Sequence, residues 1–334
     1  MQKWFRPRRL ILVWILILIV IVIGFHTLPS RNGANPVPQT WGVTFTASHA
    51  QYLGLDWKKT YREMLDDLKV RWIRLGVPWD AIEPAAGELN LVDIRWQLDE
   101  ARKRGARVLL VVGRKIPRWP ECHIPDWVKS LPEPEQEVQT LTMLRKVVES
   151  FKDYPAIWAW QVENEPLFPF GDCPSPNSSL YRQEVALVRS LDTRPIVGTD
   201  SGELSSWWTM SSIVDILGVS IYRSVYHPII GYTHYPFSPA MYARKAWLVR
   251  GRVGRVISSE VQMEPWSIGG FIDQPVGDQT AVFTPEDFKK NLAFIRKTGF
   301  DTFYFWGVEW WAWMKEKNND ARYWDLARTI FNPS

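Results

Sequence analysis

The sequence predicts an α/β protein, a (β/α)8 barrel preceded by a single N-terminal transmembrane helix. From residue 41 onward, short apolar segments typical of buried parallel strands alternate with helical patterns. Eight such segments occur in roughly 290 residues, which is the number that a (β/α)8 barrel requires. A third observation, a long uncharged apolar stretch near the N-terminus, predicts the membrane-spanning helix.

The N-terminal segment has the charge pattern of a membrane anchor. The cations Lys3, Arg6, Arg8 and Arg9 precede an uncharged stretch at residues 10–25. As a helix this stretch would span about 24 Å, and residues 26–28 can extend it toward the roughly 30 Å of a bilayer core. Because cations stay in the cytoplasm, the rest of the chain is expected outside the membrane, in the periplasm or the extracellular space. A cleaved signal peptide is the alternative, although no A-x-A cleavage pattern follows.

These patterns divide the chain into three parts. Residues 1–28 form a basic cytoplasmic tail and the transmembrane anchor. Residues 29–40 are polar with three prolines and form a linker, and residues 41–334 form the barrel. The chain has a formal net charge of +4, and its first nine residues supply four positive charges, so the remainder is neutral. A nucleic-acid binder usually carries a basic face, so we expect no nucleic-acid partner, and we expect a monomer.

The predicted strands are separated by helices with recognisable ends. One helix begins after Thr284, which can cap it, with Pro285 at the first helical position. Another lies between Asn90 and Gly105. A doubly wound open sheet is the alternative, but no Gly-rich phosphate turn follows the first strand. The predicted strands are residues 41–46, 70–77, 107–112, 156–162, 195–198, 216–221, 255–259 and 302–306.

Polar residues follow the strands at the edge where (β/α)8 barrels carry their functional loops. The fourth strand ends in ENEP, the sixth in SIYR, the seventh in SSEVQMEPW and the eighth in FWGVEWW. Two carboxyl groups, an amide and aromatic rings are suited to glycoside cleavage, in which one acid protonates the leaving oxygen and a second carboxylate stabilises or attacks the anomeric carbon. We expect no metal and no cofactor, because the sequence has neither a His/Cys cluster with zinc spacing nor a phosphate loop.

The segments WQVENEP and VISSEV resemble the strand-four and strand-seven motifs of clan A glycoside hydrolases, the cellulase- and mannanase-like (β/α)8 enzymes. The resemblance implies that Glu165 is the general acid/base and Glu260 the nucleophile. It also implies that Asn164 contacts the sugar 2-hydroxyl. IRLGVPW is similar to the strand-two pattern and implies that Arg74 holds the nucleophile ionised. The strand-six and strand-eight positions imply substrate contacts for two aromatic residues, Tyr222 and Trp306.

The resemblance extends from residue 41 to residue 315 and departs from the family at the third strand. Many members carry a His there, whereas this chain has Arg114 and Lys115. Glu163 has the strand parity of Glu165 but lies deeper, so we expect it to be a hydrogen-bonded supporting group.

The seventh strand offers two acids, and Glu260, which directly follows the apolar run and matches the family position, is preferred to Glu264 as the nucleophile. Glu264 is expected to contact substrate, line the cleft or cap a turn. Trp79 is predicted to contact substrate, and so is Glu83, unless their segment is only a loop with a helix start.

The only two cysteines are predicted to form a disulfide. Cys122 follows the third strand and Cys173 follows the fourth, so both loops lie on the same rim. An extracytoplasmic location is oxidising, which favours one disulfide over two buried free thiols.

Three functions are consistent with these residues. The first is a membrane-anchored retaining glycosidase that cleaves a β-linked poly- or oligosaccharide outside the membrane. The second is a non-catalytic glycan-binding or envelope protein on the same barrel, because fold does not fix function. Such a protein would have little need to keep both acids. The third is a transglycosylase, which uses the same residues with a sugar as acceptor.

Overall fold

The computed structural model describes residues 38–227, 229–267 and 269–332, and it contains a closed barrel of eight strands. All neighbouring barrel strands are parallel, and the predicted (β/α)8 barrel is confirmed. The spatial order of the strands is β1-β10-β9-β6-β5-β4-β3-β2. The barrel strands are β1 (Thr40–Phe45), β2 (Trp72–Gly76), β3 (Arg107–Val112), β4 (Ile157–Val162), β5 (Ile196–Asp200), β6 (Ile216–Ile221), β9 (Arg255–Gln262) and β10 (Thr302–Trp306).

All eight predicted strands are present, with ends shifted by a few residues. β9 is longer than predicted and continues through Glu260 to Gln262. The sequence patterns did not predict an antiparallel hairpin, β7 (Ser224–His227) and β8 (Gly231–His234), which follows β6.

Helices connect the strands, and the best-defined of them begins as predicted. Thr284 Oγ1 accepts a hydrogen bond from the Asp287 amide, and the Asp287 carboxylate accepts one from the Thr284 amide. These reciprocal bonds satisfy two amide groups that the helix leaves unpaired. The helices are Ala47–Tyr52, Trp57–Asp66, Trp79–Ile82, Val92–Lys103, Asp126–Lys129, Glu133–Phe151, Ser178–Leu191, Pro239–Val249, Val276–Val282, Pro285–Ile295, Val308–Lys317 and Arg322–Phe331, with a 3-10 turn at Met210–Ser212.

The barrel separates a small inner cluster from the large core between strands and helices. Side chains alternate between the two faces of a strand. Ile73 and Val162 pack in the outer core, so their chain neighbours Arg74 and Gln161 face the barrel interior. The inner apolar cluster contains Leu109, Ala159, Val197, Ile216, Ile257 and Tyr304.

A disulfide joins the segments that follow β3 and β4. The Cα atoms of Cys122 and Cys173 lie 5.2 Å apart, and the two residues are separated by 51 positions in the chain. The bond therefore ties together two loops at the C-terminal edge of the barrel.

The predicted membrane anchor at residues 1–28 lies outside the described residues. Within the part of the chain that is described, no helix has both the length and the apolar character needed to cross a bilayer.

Removing the disulfide should destabilise the barrel without changing its fold. Cross-linking residues 51 positions apart reduces the entropy of the unfolded chain, which in the chain-entropy model is worth about 4 kcal/mol. We expect Cys122→Ser/Cys173→Ser to lower the thermal midpoint by roughly 8 °C. Calorimetry of oxidised wild type and the double variant would measure this. Equal midpoints for the two proteins would contradict the prediction.

Candidate functional site

The buried side chain of Arg74 connects several polar groups at the C-terminal mouth of the barrel. Arg74 on β2 is fully buried and donates three side-chain hydrogen bonds. Nη1 donates to Glu260 Oε1 at 2.6 Å, Nη2 to Asn164 Oδ1 at 2.6 Å, and Nε to Gln161 Oε1 at 2.7 Å. Because the guanidinium is planar and always charged, these bonds fix the carboxylate and both amides relative to one another.

Glu260 lies near the end of β9 and is held at both oxygens. One accepts from Arg74, and the other accepts from the Tyr222 hydroxyl at 3.1 Å. Burial raises the pKa of Tyr222 well above its ordinary value, so its hydroxyl remains a donor. The Glu260 side chain is therefore oriented by one cation and one neutral donor, and only 6% of the residue is exposed.

Glu165 lies immediately after β4, in a turn that brings it toward β5 and β6. Glu163 and Glu165 both have left-handed backbone angles, φ 59° and 45°. The Glu165 amide donates to Thr199 Oγ1 at 2.8 Å, and Ser220 Oγ donates to Glu165 Oε1 at 2.8 Å. Ser220 is the register partner of Glu260 in the sheet. The two predicted catalytic carboxyl groups are therefore brought to neighbouring positions of the mouth.

The surroundings of Glu165 favour its protonated form. Burial, followed by the negative charge of Glu260, raises the pKa of Glu165 to about 8, although the Ser220 hydrogen bond opposes the shift. At neutral pH, Glu165 is therefore mostly a carboxylic acid that can give up a proton. Neighbouring carboxyl groups held in opposite protonation states are typical of acid/base chemistry.

Glu163 supports the site from below, in agreement with the sequence interpretation. Its carboxylate accepts hydrogen bonds from the amides of Arg114 and Lys115, and only 3% of the residue is exposed. A Cβ at Gly113 would lie 2.5 Å from the Glu163 carboxyl carbon, so only glycine fits there. Lys115 then donates to the backbone oxygens of Glu165 at 3.2 Å and Phe168 at 2.9 Å. The segment after β3 thus positions the loop that carries Glu165.

Glu121 adds a carboxyl group to the site that the sequence patterns did not predict. Asn164 Nδ2 donates to Glu121 Oε2 at 3.0 Å. Burial, followed by the charge of Glu260, raises the pKa of Glu121 to about 7. Glu121 lies in an irregular loop after β3, where no strand or helix pattern indicates which side chains face the site. Its position beside Cys122, a predicted disulfide partner, was the only signal that placed it on this rim.

Trp306 and Glu264 lie at the mouth, and both contact the side chain of Arg118. The Arg118 guanidinium carbon lies 4.1 Å from the centre of the Trp306 ring. Arg118 also forms ion pairs with Glu264 and, at 3.0 Å, with Glu309. Glu264 is 3% exposed and was expected to line the cleft or cap a turn. Instead it holds this arginine, because a buried carboxylate requires a compensating charge.

The structure contradicts the predicted role of Trp79. This residue is completely buried, and its indole nitrogen donates to Glu83 Oε2 at 3.0 Å. Glu83 in turn forms an ion pair with Lys146 at 2.8 Å. A side chain without exposed surface cannot contact substrate, so Trp79 is part of the core.

Within the described residues, no group of His, Cys, Asp and Glu side chains has the arrangement of a metal site.

The fold is similar to that of several solved structures. A β-galactosidase from the psychrophilic Marinomonas ef1 matches with a TM-score of 0.54 at 14% identity, over 80% of this chain and 54% of that one. GH5_18 from Streptomyces cattleya, in complex with GlcNAc, matches with a TM-score of 0.58 at 13% identity, over 81% and 71%. The exo-β-1,4-mannosidase Op5Man5 from Opitutaceae bacterium strain TAV5 matches with a TM-score of 0.56 at 15% identity, over 84% and 53%.

At these identities the likeness establishes the fold, a (β/α)8 barrel, and nothing finer. The chain spans about half the length of the β-galactosidase and the mannosidase. No protein family matches the sequence, and no curated protein matches it.

The protonation of Glu165 should depend on Glu260. Glu165 should titrate with a pKa of about 8, so it is protonated below this pH and ionised above it. In Glu260→Gln the neighbouring negative charge is removed, and the pKa of Glu165 should fall. Carbon-13 NMR of glutamate-labelled protein would measure both titrations, with Glu165→Gln identifying the signal. Glu286→Gln, an exposed substitution on a helix, serves as the control. A Glu165 titration that does not change in Glu260→Gln would contradict this electrostatic account.

Proposed function

We propose that this protein is a retaining glycoside hydrolase that cleaves a β-linked glycan or glycoside. The observation that carries the proposal is the pair formed by Glu165 and Glu260. Glu165 is held protonated by burial and by a neighbouring charge, whereas Glu260 is paired with the permanent cation of Arg74. This is the division of roles that glycoside cleavage by two carboxyl groups requires.

In the first step, a Glu260 oxygen attacks the anomeric carbon while Glu165 donates its proton to the glycosidic oxygen. The carbon–oxygen bond breaks, the aglycone leaves as an alcohol, and a glycosyl ester forms on Glu260. Arg74 and Tyr222, which bind the two Glu260 oxygens, orient the attacking carboxylate. Developing positive charge on the sugar ring is stabilised by the same carboxylate.

In the second step, Glu165 acts as a base. Once Glu260 is esterified it carries no charge, so one of the causes that raised the pKa of Glu165 is absent. The ionised Glu165 takes a proton from a water molecule as the water oxygen attacks the anomeric carbon. The ester bond breaks, Glu260 is released as a carboxylate, and the product keeps the configuration of the substrate.

The similar structures support a β-linked substrate. Two of them are a β-galactosidase and an exo-β-1,4-mannosidase by name. A protein that only binds glycans would have little need of an acid and a carboxylate held in different protonation states at one mouth.

We also propose that the barrel is anchored in a membrane and faces the extracytoplasmic side. The basic residues before residue 10 and the uncharged stretch that follows support an anchor. The Cys122–Cys173 disulfide favours an oxidising compartment. Thr40 begins β1 at the N-terminal edge of the barrel, opposite the edge that carries Glu165, so the site would face away from the anchor.

Replacing the two glutamates should have different consequences. Glu260→Ala should abolish turnover, because no glycosyl ester can form. Glu165→Ala should lose a factor of about 10²–10⁴, and the loss should shrink for aryl glycosides whose leaving group needs no proton. Steady-state kinetics on both substrate types would measure this, with Glu286→Ala as an exposed control. Full activity in both glutamate variants would show that the site is wrongly assigned.

Azide should distinguish the two roles by stereochemistry. In Glu165→Ala, azide should attack the covalent intermediate and give a β-glycosyl azide. In Glu260→Ala, it should take the place of the nucleophile and give the α product. NMR of the products would identify each anomer. In the wild type, the carboxyl groups should lie about 5–5.5 Å apart, the spacing of retaining enzymes. A first product of inverted configuration would exclude the double displacement.

The proposed topology has its own test. A reporter fused after Ser334 should be active only outside the cytoplasm, because Lys3, Arg6, Arg8 and Arg9 hold the N-terminus inside. A paired phosphatase and fluorescent-protein fusion would measure the location. A cytoplasmic reporter would exclude this orientation, and a mature chain beginning near Ala34 would indicate a cleaved signal peptide.

A further inference from the structure

A ten-residue segment after β3, residues 114–123, crosses the mouth of the barrel, and we call it the strap. Its two ends are joined by backbone hydrogen bonds. The N–H of His123 donates to the carbonyl oxygen of Arg114 at 2.8 Å, and the N–H of Ile116 donates to the carbonyl oxygen of Glu121 at 2.9 Å. Both ends are fixed to the β4 side. The backbone N–H of Asn164 donates to the backbone oxygen of Lys115 at 2.6 Å. The disulfide between Cys122 and Cys173 adds a covalent link.

The tip of the strap reaches the opposite side of the barrel. Arg118 forms ion pairs with Glu264, which follows β9, and with Glu309, which follows β10, and it stacks on Trp306 at the end of β10. In the closed barrel, β2 and β1 separate β3 from β10. The strap therefore spans the ends of β2 and β1.

The strap is packed against the barrel beneath it. Ile116 is 1% exposed, and its side chain lies 3.3 Å from where a Cβ on Gly76 would be, at the end of β2. Arg118 and Glu121 are also buried. This side of the mouth is thus filled by side chains of the strap.

The more accessible residues of the site lie on the side of β4 and β6. Glu165 and Tyr222 are only partly buried there. Phe170, after β4, and Trp266, after β9, are in edge-to-face contact beside these residues, with ring centroids 6.5 Å apart. Among the site residues, the proton donor Glu165 is therefore on the more accessible side.

The nucleophile lies toward the closed side. Glu260 and Asn164 are buried, and Asn164 donates to Glu121 of the strap. In the proposed reaction, the sugar that becomes attached to Glu260 occupies this closed side. The leaving group, which receives the proton of Glu165, occupies the more accessible side. A second sugar attached to the far end of the first would have to pass through the strap.

We infer that the enzyme is exo-acting and removes single sugars from the non-reducing end of its substrate, because the strap fills the mouth on the side of Glu260. This inference rests on the proposed glycosidase function. An enzyme closed in this way accepts substrates with an uncapped terminal sugar. Glu121, which lies beside Asn164, would accept hydrogen bonds from the hydroxyls of that sugar. Arg118 is the specificity-determining residue, since its ion pairs hold the strap in place.

The product pattern of the full-length protein tests the inference. The probes are mannotetraose, cellotetraose and β-1,4-galactotetraose, each labelled at the reducing end, with counterparts capped by a 4,6-O-benzylidene group on the terminal non-reducing sugar. The first products from an uncapped probe should be a free monosaccharide and a labelled trisaccharide. Capping should slow cleavage about 100-fold or more, because the added group clashes with the strap. Chromatography at early times would measure both.

Loosening the strap should weaken this discrimination. In Arg118→Ala/Glu264→Gln/Glu309→Gln the ion pairs are removed without leaving a buried charge unpaired. The ratio of uncapped to capped cleavage should fall about tenfold or more, with internal products appearing. The matched control is Arg104→Ala/Asp66→Asn/Glu100→Gln, which removes an arginine bridging two carboxylates at the other end of the barrel. The control should keep the wild-type ratio.

Each outcome has a separate meaning. Internal fragments as first products of the wild type would overturn the exo inference and leave the glycosidase proposal standing. Unchanged discrimination in a folded strap variant, checked by circular dichroism, would overturn the role of the strap. If that variant does not fold, the wild-type product pattern decides alone. No release from any uncapped tetrasaccharide or from aryl β-glycosides of the same sugars would overturn the proposed function, and the inference with it.

Discussion

The three hydrogen bonds of Arg74 are the interaction on which the site depends. They join β2 to β4 and β9 inside the barrel, and each ends on a group that has a further role. A buried carboxylate such as Glu260 is unfavourable without a compensating charge, and removing one partner of a buried pair typically costs about 3–5 kcal/mol. The Arg74–Glu260 ion pair therefore stabilises the fold and also orients the Glu260 carboxylate. It makes a polar barrel mouth compatible with a closed, well-packed fold.

The second constraint is that several carboxyl groups share this small buried space. Glu121, Glu165 and Glu260 are near enough for the charge of Glu260 to raise the pKa of the other two. The site consequently holds fewer negative charges at neutral pH than it has acids. This electrostatic coupling places a protonated carboxyl group beside Glu260, and it makes the protonation of Glu165 depend on the charge of Glu260.

The strap is also held by a buried arginine that is paired with carboxylates. Arg118 is buried between two carboxylates and a tryptophan ring, which compensate its charge in this position. Arg74 connects strands and orients Glu260 and Asn164, whereas Arg118 holds a loop across the mouth. In the proposed function, the first arginine supports the chemistry and the second limits which part of a glycan reaches it. The disulfide and the Glu163 carboxylate fix the other end of the loop.

The sequence by itself determined the barrel and the chemical character of its C-terminal edge. Strand periodicity is local, so the eight strands and the polar residues that end them, including Glu165 and Glu260, could be read directly. The tertiary structure decided what those residues touch. Trp79 proved to be buried under Glu83, and Trp306 is covered by an arginine from another loop. Glu121 and Arg118 were missed, because loops have no periodicity. Arg118 and Glu264 are 146 residues apart in the chain, and only closure of the barrel brings such distant groups together.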